Sequence, residues 1–182
     1  MLKVAIVGNI ASGKSTVENI LIKKGYSVYD TDKIAHSILV NNKDVESYFG
    51  TTDRKELAQI VFADKEKLKK LESIIHPLVK KEIEEIFNHE VEIVFISVPQ
   101  LFESGFDKMF DKILYIYTPE EVRINRLIKR NNLSYEEALS RIKAQMPDEI
   151  KKQRADYVIE NVATIENLSQ KVEGVLFKLT NQ

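Results

Sequence analysis

The stretch with the clearest chemistry is GNIASGKST at residues 8–16, which matches the pattern G-x-x-x-x-G-K-[ST]. The glycines let the backbone bend until successive N–H groups face one concavity, and such a concavity at a helix N-terminus binds anions. The lysine can reach the β- and γ-phosphates of a nucleotide, and the serine hydroxyl can bind Mg²⁺. The residues predicted to hold a nucleoside triphosphate are Gly8, Ala11, Ser12, Gly13, Lys14, Ser15 and Thr16, with Ser15 as the protein ligand of Mg²⁺.

Such a motif needs a strand before it and a helix after it, and the sequence supplies both. The run LKVAIV at 2–7 is short, apolar and rich in β-branched residues, as expected of a buried strand. After Lys14, the apolar residues Val17, Ile20 and Leu21 recur at helical spacing, and Gly25 is suited to end the helix. The context therefore favours a phosphate-binding loop over an accidental turn.

The rest of the chain continues to alternate between predicted strands and helices. Further strands are expected at 26–30, 91–98, 112–117 and 156–160, and further helices at 31–40, over most of 44–90, from 118, from 134 to about 146, and at 164–180. This alternation predicts an α/β fold with a parallel sheet covered by helices on both faces. The long helical run before the third strand is predicted to be an inserted subdomain.

Four local signals set helix boundaries in this prediction. Asp53 and Ser134 each stand three residues before a glutamate, the arrangement of a capping box. Thr118 precedes a first-turn proline and is expected to cap the helix that follows. Pro77 is expected to start a new helix at 77–88, because proline disrupts a helix interior.

Composition limits the classes of function. The length of 182 residues suits one domain, and a net charge of −1 gives no global field that would draw the chain to nucleic acid or an anionic membrane. The lack of cysteine excludes disulfides, thiolate metal sites and cysteine nucleophiles. Neither a signal-peptide core nor a run near the roughly 18 apolar residues of a membrane span is present. We therefore expect a cytoplasmic protein, with no nucleic acid or membrane as partner and no obligate protein partner inferred.

The phosphate-binding loop alone does not separate a kinase from a GTPase switch or an ATPase motor. The guanine-binding pattern N-K-x-D is not matched by NNKD at 41–44, and no later glycine has an aspartate three residues before it. The strand at 91–98 also lacks the terminal aspartate typical of ATPase motors. These absences favour a small-molecule kinase, which can hold Mg²⁺ with the loop serine, phosphates and waters.

A kinase needs a group that orients or accepts the proton of the attacking hydroxyl. Asp30, Thr31 and Asp32 follow the second predicted strand, at the edge where open α/β sheets bind ligands. One of the two carboxylates can take this role. Alternatively, Asp30 or Thr31 caps the next helix and leaves Asp32 in its first turn, where the helix dipole favours a carboxylate. The two roles are compatible.

Taken in order, the motifs resemble the dephospho-CoA kinase family over most of the chain. The family's G-G-I-G-S-G-K-S-T is similar to GNIASGKST, its D-A-D-x-x-A-R to DTDKIAH at 30–36, its L-H-P-L to IHPL at 75–78 and its V-P-L-L-F-E to VPQLFE at 98–103. R-x-x-x-R at 126–130, R-x-x-x-Q at 141–145 and RADYVIEN at 154–161 follow in the family's order. The first motif is shared by many enzymes, whereas the ordered later motifs are far more specific.

The resemblance implies a P-loop kinase that transfers the γ-phosphoryl group of ATP to the 3′-hydroxyl of the ribose of dephospho-CoA, giving CoA and ADP. It implies that Asp32 is the base. Lys14 and one or more of Arg126, Arg130 and Arg141 are implied to stabilise charge on the transferring group. Mg²⁺ is the implied cofactor, and ATP and dephospho-CoA are the implied small-molecule partners.

The resemblance also implies how one domain, 1–182, is divided. A core at about 1–35, 91–125 and 150–182 binds ATP, a helical insertion at about 36–90 holds the pantetheine-bearing substrate, and a lid covers about 126–149. The substrate-binding residues would be Asp32, His76 and Glu103.

Each implied role has a simpler alternative. The three arginines can be solvated or paired with carboxylates on helix surfaces, His76 can be a structural cap between helices, and Glu103 can be a solvated loop charge. Asn161 can either contribute to a nucleotide-base pocket or cap a turn. At the level of function, the alternatives are another small-molecule P-loop kinase and a nucleotide-binding switch.

The chain departs from the family pattern at four positions. Asn9 and Ala11 replace glycines, His36 replaces an arginine and Gln100 replaces a leucine. Asparagine tolerates the left-handed backbone region, whereas Ala11 is expected to have a negative φ. His36 puts in doubt a fixed positive charge at neutral pH.

Overall fold

The structure is a computed structural model that describes residues 1–90 and 92–181, and within them it contains five strands and nine α-helices. The strands are β1 Leu2–Gly8, β2 Ser27–Asp30, β3 Ile93–Ser97, β4 Lys112–Tyr117 and β5 Tyr157–Glu160. The helices are α1 Lys14–Lys23, α2 Thr31–Leu39, α3 Lys43–Phe49, α4 Arg54–Phe62, α5 Lys65–His89, α6 Glu120–Asn131, α7 Tyr135–Lys143, α8 Asp148–Arg154 and α9 Ile165–Thr180. A short 3₁₀ turn covers Phe106–Met109. None of the helices in the described residues has the length and apolarity needed to span a bilayer.

The five strands form one sheet in the order β2-β3-β1-β4-β5. β1 pairs in parallel with both β3 and β4, and β4 pairs in parallel with β5. As the central strand, β1 is buried on both faces, which explains why its sequence is a continuous apolar run. The predicted α/β fold with a parallel sheet is confirmed, and all five predicted strands are present.

The helix that follows the phosphate-binding loop is fixed by the core on one face of the sheet. Val17, Ile20 and Leu21 of α1 are buried there together with apolar residues of α9 and of four strands. Burying an aliphatic side chain contributes about 1.5–3 kcal/mol. Three such side chains hold the axis of α1, and therefore the direction in which its N-terminal N–H groups point.

The chain divides into two compact units, one made of Met1–Tyr29 and Glu92–Gln182 and the other of Asp30–Val91. The first contains most of the sheet and the helices α1 and α6–α9. The second is helical, and in it α5 packs against α2, α3 and α4. The assignment of substrate binding to the second unit stays a prediction.

Helix α5 runs without a break through Pro77, so the prediction of a new helix at 77–88 is wrong. A proline in a helix interior costs about 3 kcal/mol or more, because it removes an N–H donor and crowds a carbonyl. Pro77 is exposed, whereas Ile75, Val79 and Ile83 are buried along one side of the same helix. Their burial offsets the free-energy cost of the proline. Because this burial depends on tertiary contacts, the local sequence does not predict it.

The other helix boundaries give a mixed result. Asp53 caps α4 by accepting hydrogen bonds from the N–H groups of Lys55 and Glu56, and Ser134 forms the predicted capping box of α7. Thr118 does not cap α6, whose N-cap residue is Pro119 with no side-chain cap. Helix α7 ends at Lys143 instead of about 146, and α8, which was not predicted, follows it.

Candidate active site

The phosphate-binding loop connects β1 to α1 and lies at the edge where the parallel strands end. Gly13 is the N-cap residue of α1 and has a φ of 86°. Ala11 is also left-handed, with a φ of 60°, so its expected negative φ is wrong. This region costs a non-glycine residue about 1–2 kcal/mol. Such strain persists only where the surrounding structure over-determines it, so the contacts of the loop matter.

Both motif glycines are required by the close approach of other groups. A Cβ on Gly8 would lie 2.5 Å from Ser12 Oγ and 3.3 Å from the carbonyl oxygen of Ile116. A Cβ on Gly13 would lie 2.1 Å from Asn161 Nδ2, in addition to the strain of its positive φ. The pattern of glycines therefore reflects crowding by neighbouring strands as well as backbone conformation.

The carbonyl of Ser12 is held by two buried side chains from the ends of neighbouring strands. Asn161 Nδ2 donates to it at 2.8 Å, and Thr118 Oγ1 lies 2.9 Å from it and 3.0 Å from the carbonyl of Asn161. Thr118 therefore ties the loop to the end of β5 instead of capping α6. The side chain of Asn161 likewise fixes the loop and does not cap a turn.

Arg126 of α6 also contacts the loop through carbonyl groups. Its Nη1 donates to the carbonyl of Ala11 at 3.1 Å, and its Nη2 donates to that of Asn161 at 3.1 Å. Partial burial lowers the pKa of Arg126 below its usual range, but an arginine stays charged at neutral pH. The guanidinium thus places a positive charge beside the loop and directly supports the strained Ala11.

The backbone amides of the loop fall into two groups. The N–H of Ser12 donates to the carbonyl of Asn9 at 3.0 Å and that of Thr16 to the carbonyl of Gly13 at 3.0 Å, so these two donors are used within the loop. Four other amides have no acceptor within the described part of the chain, namely those of Ala11, Gly13, Lys14 and Ser15. Donors of this kind at a helix N-terminus form an anion-binding site.

Lys14 is held by two side chains that sequence reasoning missed. Its Nζ lies 2.7 Å from Glu18 Oε1, one turn along α1, and donates to Ser97 Oγ at the end of β3. The side chains of Lys14 and Glu18 are only 17% and 13% exposed, so water screens this ion pair weakly. The i,i+4 spacing could have revealed Glu18, whereas Ser97 becomes a neighbour only through the pairing of β1 with β3.

Arg130 and Arg141 do not contact the phosphate-binding loop. Both are exposed, on α6 and α7, and Arg130 Nε donates to Asn131 Oδ1 at 2.9 Å. Their two helices pack on each other through a small apolar cluster that also includes Ile10 and Ala11 of the loop. The structure therefore brings Arg126, but not the other two arginines, to the loop.

Glu103 is paired with a buried lysine. Lys151 of α8 is fully buried, and its Nζ lies 3.1 Å from Glu103 Oε1. The contact lacks hydrogen-bond geometry, and this Nζ has no other acceptor within the described residues. An unpaired buried ammonium would be costly, so Glu103 supports α8 as well as being a candidate ligand, and it is not merely a solvated charge.

The remaining predicted residues lie in the helical unit. Asp30 caps α2 by accepting from the N–H of Asp32 at 2.8 Å, which confirms the capping alternative for Asp30. Asp32 is exposed in the first turn of that helix, and His36 is exposed in its last turn. His76 is partly buried on α5, so it lies within a helix and is not a cap between two helices.

The donor set at the loop fits Mg²⁺ better than a metal held by protein side chains alone. The Ser15 hydroxyl is exposed at the start of α1, and hydroxyl oxygen is a suitable hard ligand. Among the described residues, no group of three or more His, Cys, Asp and Glu side chains could hold a metal ion. Magnesium is usually bound through one or two protein ligands together with phosphates and waters, which matches this site.

Comparison with known proteins agrees with this geometry. The model of the dephospho-CoA kinase family matches residues 2–167. A dephospho-CoA kinase of Fusobacterium nucleatum is 43% identical, and the match covers 93% of this chain and 94% of the relative.

Two solved structures are also similar along their whole length. A crystal structure from Thermus thermophilus has a TM-score of 0.87 at 39% identity and covers 99% of this chain and 98% of its own. A dephospho-CoA kinase from Campylobacter jejuni has a TM-score of 0.76 at 33% identity and covers 97% of this chain and 96% of its own.

Proposed function

The chain belongs to the dephospho-CoA kinase family, and from this premise we propose how its residues carry out the transfer. The enzyme transfers the γ-phosphoryl group of ATP to the 3′-hydroxyl of the ribose of dephospho-CoA, giving CoA and ADP. The observation that carries the proposal is the loop at 8–16, where unpaired amides, Lys14 and the start of α1 converge.

The loop binds the triphosphate through backbone N–H groups and one lysine. The amides of Ala11, Gly13, Lys14 and Ser15 donate to phosphate oxygens, and the dipole of α1 adds to their field. When the nucleotide binds, Lys14 Nζ leaves the Glu18 carboxylate and contacts the β- and γ-phosphates instead. Arg126 lies behind the loop and adds a positive charge that favours the negative nucleotide.

Mg²⁺ fits the same end of α1 and would be held by the Ser15 hydroxyl, phosphate oxygens and waters. When bound there, Mg²⁺ would supply positive charge that stabilises the negative charge developing on the phosphates during transfer. Ser15 would contribute a neutral oxygen, so that little of the charge of the ion would be offset by the protein.

Asp32 acts as the general base on the acceptor, the ribose 3′-hydroxyl of dephospho-CoA. Its place two residues beyond the carboxyl end of β2, together with the family motif at 30–36, supports this assignment. The ribose 3′-oxygen forms a bond to the γ-phosphorus while the bond from that phosphorus to the bridging oxygen of ADP breaks. The proton of the hydroxyl passes to the Asp32 carboxylate, which also orients the substrate.

The other family residues take supporting roles. Arg141 and Arg130, exposed on the lid segment 126–149, meet the phosphates as that segment closes over the nucleotide. His76 and Glu103 bind dephospho-CoA, and the pairing of Glu103 with Lys151 fixes the carboxylate in place. A cytoplasmic location stays a prediction.

The proposal is tested by an ADP-release assay with Mg²⁺, ATP and a panel of acceptors. Dephospho-CoA should support rapid release, whereas AMP, CMP, shikimate and a no-acceptor control should not. Rapid release with one of the other acceptors would contradict the substrate. Release without any acceptor would indicate an ATPase.

A further inference from the structure

We infer that Asn9 is a positioning residue that anchors the phosphate-binding loop to the far end of the lid segment and presets the loop for ATP. The inference rests on the proposed role of the loop in nucleotide binding. It concerns the second residue of the loop, where this chain carries a buried asparagine.

The anchor consists of three hydrogen bonds between residues 9–10 and residues 145–148. Asn9 Nδ2 donates to the carbonyl of Met146 at 3.2 Å and to Asp148 Oδ1 at 2.8 Å. The N–H of Ile10 donates to Gln145 Oε1 at 2.7 Å. Both partners of the Asn9 amide are acceptors, so its nitrogen must face them. Glycine at this position could make neither of the side-chain bonds.

Asp148 is itself held from two other elements. Its Oδ2 accepts from Nη2 of the buried Arg123 of α6 at 2.6 Å, and its Oδ1 accepts from the Tyr115 hydroxyl of β4. Burial and then the hydrogen bond to Asp148 raise the pKa of Tyr115 above its usual range, so its hydroxyl keeps the proton it donates. Arg123 also donates to the carbonyl of Thr118 at 2.9 Å. Asn9 is thus attached to a carboxylate that cannot easily move.

The other end of the lid segment also contacts the loop. Arg126 donates to the carbonyl of Ala11, and the methyl group of Ala11 and the side chain of Ile10 pack on the apolar cluster of α6 and α7. Residues 9–11 therefore contact the beginning and the end of the segment 126–149. Loop and lid segment form one connected structure.

This connection explains how the loop keeps its conformation without the two extra glycines. Asn9, Ile10 and Ala11 can make all of their contacts at once when Ala11 is left-handed. These contacts therefore stabilise the strained conformation of Ala11. A loop that is already ordered loses less conformational entropy when ATP binds. Loss of the anchor should consequently weaken ATP binding and leave the chemical step nearly unchanged.

The test measures the Kd of Mg-ADP by calorimetry, and kcat and KM for ATP at saturating dephospho-CoA. Asn9→Gly removes the two side-chain bonds of the anchor, and it should raise both Kd and KM about tenfold, as expected for a lost hydrogen bond to a charged group. Its kcat should stay within a few-fold, because uniform binding affects KM alone. Asn9→Asp keeps the size of the side chain but faces Asp148 with a second carboxylate, so its Kd should rise further.

Asn41→Gly is the matched control, because Asn41 is exposed in a turn with a φ of 63° that glycine adopts readily. Its Kd and KM should equal those of the wild type. Circular dichroism checks that each variant folds. If Asn9→Gly does not fold, the Kd and KM of Asn9→Asp decide whether the inference holds. The inference is overturned if the folded variants bind Mg-ADP within about twofold of the wild type, or if kcat falls while KM is unchanged. A wild type that fails to bind nucleotide would instead overturn the proposed function.

Discussion

The phosphate-binding loop and the Asp30–Asp32 segment follow two strands of the same sheet, but they are held in very different ways. The loop is held by side chains from α6, from the ends of β4 and β5 and from the start of α8. The carboxylate of Asp30 accepts a hydrogen bond from the N–H of Asp32, two residues on, and the side chain of Asp32 is exposed in the first turn of α2. The loop is over-determined by distant parts of the chain, whereas Asp30 caps the helix that carries Asp32.

This difference matches the demands of the two proposed tasks. Stabilising charge on phosphates needs donors that are fixed before the reaction, since their reorganisation would otherwise add to the barrier. A base for the acceptor needs a carboxylate within hydrogen-bond reach of the hydroxyl. We therefore expect changes in the loop to affect nucleotide binding, and turnover as well where the changed group acts on the transferring phosphoryl group, as Lys14 does. A change at Asp32 should affect turnover alone.

The largest effect is expected for Lys14→Ala, which removes the only lysine of the loop. Turnover should fall by roughly 10³-fold or more, because the charge on the transferring phosphoryl group loses its nearest cation. The ADP-release assay measures this change. Lys23→Ala, at the exposed end of the same helix, is the matched control and should behave as the wild type. More than a tenth of normal activity in Lys14→Ala would contradict the assignment.

Asp32→Asn should lower kcat by about 10²- to 10⁴-fold, the usual contribution of a general base. The Kd of Mg-ADP should stay within a few-fold, because the change is on the acceptor side. Asp44→Asn provides the control, since Asp44 is also an exposed aspartate in the first turn of a helix. A near-normal kcat in Asp32→Asn would show that another group takes the proton.

A smaller effect is expected for Glu18→Gln, which tests the ion pair that holds Lys14. Without the carboxylate, Lys14 Nζ can bind the phosphates without first breaking its ion pair. The phosphates are also repelled by one negative charge fewer. The Kd of Mg-ADP should therefore fall about three- to tenfold, the scale of a weakly screened ion pair. Glu84→Gln removes an exposed i,i+4 pair with Lys80 on α5, away from the loop, and should not change the Kd. An increase in the Kd for Glu18→Gln would mean that Glu18 positions Lys14 instead of competing with the nucleotide.

The smallest effect is expected for Ala11→Gly. Relief of the left-handed strain should stabilise the fold by about 1 kcal/mol, partly offset by the lost contact of the methyl group with the apolar cluster of α6 and α7. Thermal unfolding should show a rise in Tm of at most about 2–4 °C. Ala63→Gly, at a right-handed position after α4, should instead lower Tm. A lower Tm for Ala11→Gly would show that packing outweighs strain.

Much of the fold was predictable because its signals are local. Apolar runs identified all five strands, and the spacing of Val17, Ile20 and Leu21 identified α1. The errors arose where distant contacts override local preference. α5 continues through Pro77 because its buried face holds both halves. α8 shows no apolar periodicity, because its buried residue is Lys151, whose Nζ lies beside Glu103.

The sequence by itself determined the phosphate-binding loop, the family motifs and their order, because these are fixed by residue types at set spacings along the chain. Only the tertiary structure decided what holds the loop. Asn161, Ser97 and Asp148 reach it from positions about 80 to 150 residues away, through strand order and helix packing. It also decided the conformation of Ala11, since a local preference of about 1–2 kcal/mol is smaller than the sum of the contacts that oppose it.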